Sequence, residues 1–169
     1  MNEVLNCLET RRSVRKYLPK QIADAELNAI LEAGIYAPTA MGRQSPKIVV
    51  LQKPEDVAEL ERMNAAVLGN PDSHPFYGAP TVLVVLADAK AGTAVEDGSL
   101  VLGNLMNAAH ALGVGSCWIH RAREEFASGE GKALLKRWGI EGDWVGVGHC
   151  ILGYAAEPAA PAKPRKADY

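Results

Sequence analysis

The run "TVLVVLA" at residues 81–87 constrains the fold of this 169-residue chain more than any other segment. Every residue in it except Thr81 is apolar, whereas a strand with one solvated face alternates apolar and polar residues. An unbroken apolar run of this length is typical of a central strand that is covered on both faces. The sequence therefore predicts one sheet with helices packed on both of its sides.

Other segments predict the elements around this strand. β-Branched and apolar residues indicate strands at 47–52, 115–120 and 144–154. Apolar periodicity, caps and breakers predict helices that are N-capped by Asn2 and by Asp24, the second ending by Ala37, and helices over 54–69, 97–112 and 132–139.

The order of these elements predicts the fold class. Two helices precede the first strand, so the chain does not follow a regular βαβ pattern. The order of elements predicts a single α+β domain over residues 1–169, with three layers (α/β/α). From about residue 155 it predicts an extended tail that is rich in Pro and Ala. The helix at 97–112 is apolar nearly all round, which predicts burial on most of its sides.

Composition excludes several classes of partner. The net charge of −2 does not favour nucleic acid or an acidic membrane surface, and no apolar run is long enough to cross a bilayer. Three widely spaced cysteines, Cys7, Cys117 and Cys150, show no zinc-binding spacing, and no metal site is predicted. Their odd number, without a signal peptide, indicates a reducing, cytoplasmic setting.

Positive charge is concentrated at two points of this mildly acidic chain. "ETRRSVRKY" at 9–17 carries three arginines beside Ser13, and "KPRK" at 163–166 lies in the tail. Guanidinium groups are forked donors suited to phosphate, and a serine hydroxyl adds another donor. Together the clusters could close on one phosphorylated ligand, although either cluster taken alone favours the interpretation as a solvated surface patch.

Familiar catalytic signatures are absent from the sequence. There is no GxxxxGK[ST], GxSxG or HExxH motif, and neither "GVGSCW" nor "GVGHCILG" is a GxGxxG that opens a helix. The four histidines are scattered, and His74, His110 and His149 are interpreted as structural residues. The residues alone predict ligand binding without a catalytic triad.

Three ordered segments carry a resemblance to a known family. The stretch "LETRRSVRKYLPKQIADAELNAILEAGIYAPTAMGRQSPKIVVL" resembles the N-terminal region of the flavin-dependent nitroreductases, with their R-[RHT]-S-x-R-x-[FY] and A-P-[ST]-x-x-N-x-Q-P-W motifs. "EDGSLVLGNLMNAAHALGVGSCWI" is similar to the central helix and following strand of that family. "GHCILGYAAEPAAPAKPR" is similar to its C-terminus, so the resemblance spans nearly the whole chain.

This resemblance implies a homodimer that binds FMN at the subunit interface. It implies a nitroreductase-like fold with a central mixed sheet and a C-terminal tail extended over the partner subunit. Contacts to the phosphate, ribityl chain and pyrimidine edge of the flavin are implied for Arg11, Arg12, Ser13 and Arg15, and the phosphate clamp is completed by Lys163 and Arg165. Contacts to the partner's flavin are implied for Pro38, Thr39, Ala40 and Met41. Backbone contacts near flavin N5 and O4 are implied for Trp118, Ile119 and His120.

The implied activity is an FMN-dependent oxidoreductase that uses NADH or NADPH. It would reduce nitroaromatics, quinones or similar small acceptors in ping-pong order, with no catalytic side chain because the flavin carries the hydride chemistry. Alternatives are a non-catalytic FMN-binding, storage or sensing module, and a specialised family member for reductive dehalogenation or flavin breakdown.

The sequence departs from the family pattern at two positions of the loop that begins at Pro38. Gly42 replaces the usual Asn, and "RQSPK" lacks the aromatic residue that follows Q-P in the family. The loop "NPDSHPFYG" could supply a substitute lid through His74, Phe76 and Tyr77, or could be a plain surface loop.

Overall fold

A computed structural model describes residues 2–169 and contains a four-stranded sheet at its centre. The strands are β1 (Pro46–Leu51), β2 (Thr81–Asp88), β3 (Gly115–Ile119) and β4 (Trp144–Gly153), in the order β1-β2-β4-β3. Every residue from Val82 to Ala87 is fully buried. The prediction of a central strand covered on both faces is confirmed.

Helices form a layer on each side of this sheet. They are α1 (Glu3–Thr10), α2 (Asp24–Ile35), α3 (Pro54–Leu68), α4 (Ala94–Ala111), α5 (Ala122–Ala127) and α6 (Gly129–Arg137). One core contains side chains of α2 and α4 with those of one sheet face, and the other contains side chains of α3, α5 and α6 with those of the opposite face. The α/β/α prediction is confirmed.

Helix boundaries follow the caps that the sequence offers, with three corrections. Asn2 accepts a hydrogen bond from the Val4 N–H at 2.9 Å, and Gly69 ends α3 in a left-handed conformation. The N-cap of α2 is Ala23 rather than Asp24, because the Glu26 carboxylate accepts the Ala23 N–H at 2.9 Å. The α4 helix begins at Ala94, three residues before the predicted start at residue 97. The α6 helix begins at Gly129, three residues before the predicted start at residue 132, because the Ser128 hydroxyl accepts the Gly131 N–H at 3.0 Å.

The strand pairings are all antiparallel, and β-sheet pairing extends to one further segment. The parallel component of the predicted mixed sheet is a single bridge between Ser13 and Ser116 on β3. There the Val14 N–H donates to the Ser116 carbonyl at 2.9 Å. This bridge places the N-terminal basic segment along the outer edge of β3.

Apolar surface remains uncovered on the single chain. The prediction that α4 is buried on most sides is confirmed, because every residue from 97 to 110 except Leu100, which is 49% exposed, is buried or half-buried. In α1 no residue is buried, and Val4, Leu5 and Leu8 are all more than half exposed. None of the helices described within residues 2–169 is long and apolar enough to span a membrane. The cytoplasmic setting stays a prediction.

Candidate functional site

The basic segment from Arg11 to Tyr17 has a backbone that the sheet fixes. It leaves α1 at Arg11, pairs with β3 at Ser13, and pairs with Ala155 at Tyr17. Tyr17 is 9% exposed and its hydroxyl donates to the Val14 carbonyl at 2.8 Å. Burial raises the pKa of this phenol far above its ordinary value, so it stays a neutral hydrogen-bond donor.

The arginines of this segment have different surroundings. Arg12 is used within the chain, because its Nη1 donates to the carbonyls of Glu9 and Arg11 at 2.8 and 2.6 Å at the end of α1. Arg11 Nη1 is buried and has no hydrogen-bond acceptor among the described residues. Arg15 is exposed. A buried donor without a partner is unfavourable, so an anionic ligand would fit the Arg11 position.

His110 lies against this arginine cluster from α4. Its Nε2 is 2.9 Å from the Thr10 hydroxyl, which ties the end of α1 to α4. Burial lowers the pKa of His110, and the positive charges of Arg11 and Arg12 lower it further. The neutral imidazole therefore adds no cation to the cluster at neutral pH, in line with the structural role predicted for it.

The C-terminal tail begins directly beside the basic segment. The Leu18 N–H donates to the Tyr154 carbonyl at 2.9 Å, and the Ala156 N–H donates to the Lys16 carbonyl at 3.0 Å. Lys16 and Glu157 then form an ion pair at 2.8 Å. A cavity of about 190 Å³ lies between residues 13–16 and residues 157–160.

The tail cations lie beyond this anchored part. Lys163 and Arg165 are exposed, and the tail lines the cavity beside residues 13–16 only with residues 157–160. An extended chain advances about 3.3 Å per residue, so the stretch after Glu157 can carry them roughly 20–26 Å. That reach is sufficient for a ligand on the same subunit or across an interface.

The loop at residues 38–45 is held by a residue that the sequence interpretation missed. Asp97, buried on α4, accepts hydrogen bonds from the Ala40 N–H at 3.0 Å and from the hydroxyls of Ser45 and Thr93, each at 3.1 Å. These donors, the Ala40 amide first, lower the pKa of Asp97. No local feature of the sequence indicates the contact with Ala40, because it joins residues 57 positions apart.

The anchored loop presents its tip to solvent. Pro38 is exposed, Thr39 accepts the Gln44 N–H at 2.9 Å, and Met41 is 86% exposed with a left-handed φ of 56°. Gly42 has a φ of 65°, and a side chain there would meet no other atom within 4 Å. The tip of the loop therefore projects into solvent.

The turn after β3 follows the C-terminal end of the strand, whereas Ser13 pairs with Ser116 near its N-terminal end. Ile119 is buried, Trp118 is half-buried, and His120 is exposed. Trp118 covers Gly148 of β4, where an added Cβ would lie 2.4 Å from the indole Nε1. The His120 carbonyl accepts a hydrogen bond from buried Asn64 of α3 at 2.8 Å. Asn64 is a second residue that the sequence interpretation missed.

The predicted lid residues separate into different environments. Phe76 is 1% exposed and packs edge-on against the His149 ring, which corrects its predicted position on an open loop. Its amide is also held, by the Glu61 carboxylate at 2.8 Å. His74 and Tyr77 are exposed, so only these two remain available to a ligand.

His149 is confirmed as a structural residue. It is fully buried on β4 and forms a hydrogen bond with buried Glu125 of α5, between the rings of Phe76 and Phe126. Within the described part of the chain, no three side chains of His, Cys, Asp or Glu are grouped so that they could hold a metal ion.

Comparisons with known proteins identify the family to which this chain belongs. The model of the Nitroreductase family matches residues 8–76 and 70–154 of the chain. The crystal structure of a nitroreductase with bound FMN from Bacteroides fragilis is similar, with a TM-score of 0.89 and 34% identity, over 99% of this chain and 96% of that one.

Two curated relatives are also similar in sequence to this chain. The FMN reductase [NAD(P)H] of Bacillus subtilis is 25% identical in an alignment 190 positions long, which covers 98% of this chain and 70% of the relative. A relative from Methanothermobacter thermautotrophicus is 30% identical over 124 residues, which are 69% of this chain but only 60% of the relative.

Proposed function

Since this chain belongs to the nitroreductase family, we propose that it is an FMN-dependent oxidoreductase that takes electrons from NADH or NADPH. The related protein of Bacteroides fragilis is described with bound FMN, and the relative from Bacillus subtilis is named an NAD(P)H-dependent FMN reductase. When bound, FMN supplies the hydride chemistry of such an enzyme. The proposal explains why the sequence carries no acid–base triad.

The observation that carries this proposal is the unpartnered Arg11 guanidinium. Its Nη1 is buried, and Arg11 lies two positions before Ser13, where the backbone pairs with β3. A phosphate group would satisfy this donor through a charge-assisted hydrogen bond. We assign the FMN phosphate to Arg11 and Ser13, with Lys163 and Arg165 closing over it from the tail.

Other parts of the site have separate roles in the proposal. Arg12 supports the site indirectly, because its guanidinium holds the end of α1. The Arg15 side chain would lie near the pyrimidine edge of the flavin, where its positive charge would favour the reduced, anionic form. Residues 118–120 would offer backbone groups to the ring, and His74 and Tyr77 would face an acceptor at its open side.

A homodimer forms part of the same proposal. Two surfaces of the single chain have no role within that chain. They are the exposed tip at residues 38–41 and the exposed apolar side chains of α1 and α4. A second copy would cover the apolar surface and bring residues 38–41 to the flavin of its partner. The tail would extend over the same partner.

The proposed acceptors are small nitroaromatics, quinones or compounds of similar shape and polarity. Initial rates of NADH and NADPH oxidation, measured with the FMN-loaded protein against a panel of both classes, test this choice. A ping-pong enzyme gives parallel lines in double-reciprocal plots. Turnover with neither class, by a protein that retains FMN, would favour the alternative of a non-catalytic FMN-binding module.

A further inference from the structure

The turn that follows β3 is held from behind by one buried side chain. Asn64 of α3 is 0% exposed, and its Nδ2 donates to the His120 carbonyl at 2.8 Å. Its Oδ1 accepts from Nε and Nη2 of Arg121 at 3.0 and 2.8 Å. One amide group therefore uses both its donor and its acceptor to fix the two residues that share the 120–121 peptide.

The backbone at this point adopts a conformation that needs such support. Arg121 has φ 83° and ψ 0°, in the left-handed region that residues with a Cβ atom rarely occupy. Because Arg121 is not glycine, the two hydrogen bonds from its guanidinium to Asn64 hold a backbone that is otherwise unfavourable. Local strain of this kind is maintained where the surrounding structure fixes it, and it is concentrated at functional sites.

The carbonyl contact determines where the adjoining N–H points. In a trans peptide the C=O and the following N–H lie on opposite sides of the chain. The His120 carbonyl faces α3, so the Arg121 N–H faces away from α3. No backbone or side-chain acceptor among residues 2–169 takes up this N–H. A donor with a fixed direction is thus left free at the end of β3.

We propose that Asn64 is a positioning residue, which orients the 120–121 peptide so that the Arg121 N–H donates to the rim of the bound flavin ring. Oxidised flavin presents ring nitrogen and carbonyl oxygen acceptors there, and a preoriented backbone donor binds them without reorganisation. This inference rests on the proposed FMN site. Through Asn64, helix α3 would control the direction of one hydrogen-bond donor of the FMN site, although α3 itself lies outside that site.

The free donor can be observed directly in the full-length protein. The Arg121 amide signal in a ¹H–¹⁵N spectrum is expected to shift when FMN is added to protein prepared without it. This measurement needs no substitution, so it tests the inference even if changes at Asn64 prevent folding. An Arg121 signal that stays in place, while FMN binds, overturns the inference and leaves the proposed function intact.

The role of Asn64 is tested with Asn64→Asp. Aspartate still accepts from Arg121 but cannot donate to the His120 carbonyl, so the peptide loses its orientation. FMN affinity, measured by quenching of flavin fluorescence, is expected to fall about threefold to tenfold, the range for one lost neutral hydrogen bond. The FMN-induced shift of the Arg121 signal is expected to shrink or disappear.

A matched control separates this role from a general effect of an amide-to-acid change. Gln52 lies just beyond β1, and its Nε2 donates to the Thr81 hydroxyl at 3.2 Å. Gln52→Glu is expected to leave both FMN affinity and the Arg121 shift unchanged. A lower melting temperature in Asn64→Asp, with unaltered affinity and an unaltered Arg121 response, would reduce Asn64 to a structural role and overturn the inference. A wild-type protein that takes up no FMN would instead refute the proposed function.

Discussion

The two halves of the proposed phosphate clamp differ in how firmly the fold holds them. The basic segment at residues 11–17 is bridged to β3, bridged to Ala155, and closed by the buried Tyr17. The tail is paired only as far as Glu157, and every residue from 158 onward is exposed. One half of the clamp is preformed, whereas the other must be ordered by the ligand or by a second subunit.

This difference has a thermodynamic consequence. Ordering a flexible segment costs conformational entropy, which reduces the net gain from each contact that the segment makes. Contacts from the fixed segment do not incur this entropy cost. The fixed segment should therefore determine where the phosphate binds, and the tail should determine how readily the site opens.

The largest expected effect comes from removing one cation of each half. Arg11→Ala combined with Arg165→Ala should weaken FMN binding by about 3–6 kcal/mol, since a hydrogen bond to a charged group contributes roughly 1.5–3 kcal/mol. A fluorescence titration with FMN measures this effect. Arg137→Ala, which removes an exposed partner of Glu59 away from the site, is the control. Equal affinity in the double variant and the control would mean that the phosphate binds elsewhere.

The fixed half can be released from the sheet by Tyr17→Ala. The ring is buried against Gly153, where an added Cβ would lie 2.8 Å from Tyr17 Cδ1. Removing it should lower the free energy of unfolding by about 3–5 kcal/mol, as for other large buried aromatic side chains. Urea denaturation measures the loss, and Tyr169→Ala, at a fully exposed residue, should stay within about 0.5 kcal/mol. Similar values for both variants would show that the segment is not held as described.

The loop at residues 38–45 extends the comparison to a second fixed element. The pKa of Asp97 is lowered in the folded state, so Asp97 stabilises the fold above its unfolded pKa of about 3.9. That stability is lost as the pH falls through the lower, folded-state value. Asp97→Asn should reduce the free energy of unfolding by about 1–3 kcal/mol near neutral pH.

The pH dependence distinguishes this effect from a simple packing defect. Denaturation curves between about pH 6 and pH 2 should show a shallower loss of stability in Asp97→Asn than in the wild type. Asp72→Asn, at an exposed loop residue, serves as the control. Parallel curves for the wild type and Asp97→Asn would contradict the assigned role of the carboxylate.

The smallest effect is expected where the two halves of the clamp meet. Lys16 and Glu157 are both more than half exposed, so their ion pair is screened by solvent. Lys16→Ala should change the free energy of unfolding by less than about 1 kcal/mol, measured in urea at low and at high salt. A larger loss would show that this pair, rather than the backbone bridges, anchors the start of the tail.

Elements with local signals were predictable from the sequence. The unbroken apolar run identified β2, and Pro54 with Gly69 marked both ends of α3. The α5 helix was missed because it has only six residues, between the left-handed Arg121 and Ser128, which is too short for a periodic pattern. The early start of α4 was missed because its N-cap, Thr93, makes no side-chain hydrogen bond to the helix backbone and donates its hydroxyl to Asp97 instead.

Contacts between distant residues were beyond the reach of the sequence. The burial of Phe76 depends on its contact with His149, 73 positions away, and nothing in "HPFYG" distinguishes a core aromatic from a lid residue. The roles of Asn64 and Asp97 likewise depend on partners 57 positions away. A polar residue within an amphipathic helix carries no local mark of such a partner.

An anaerobic titration tests the central claim most directly. The purified chain, loaded with FMN and freed of excess, is mixed with NADH or NADPH while the visible flavin absorbance is recorded. We predict that at least one of the two nucleotides bleaches the bound flavin and that a quinone or nitroaromatic acceptor restores its colour. A chain that takes up no FMN, or whose bound FMN neither nucleotide reduces, would contradict the account.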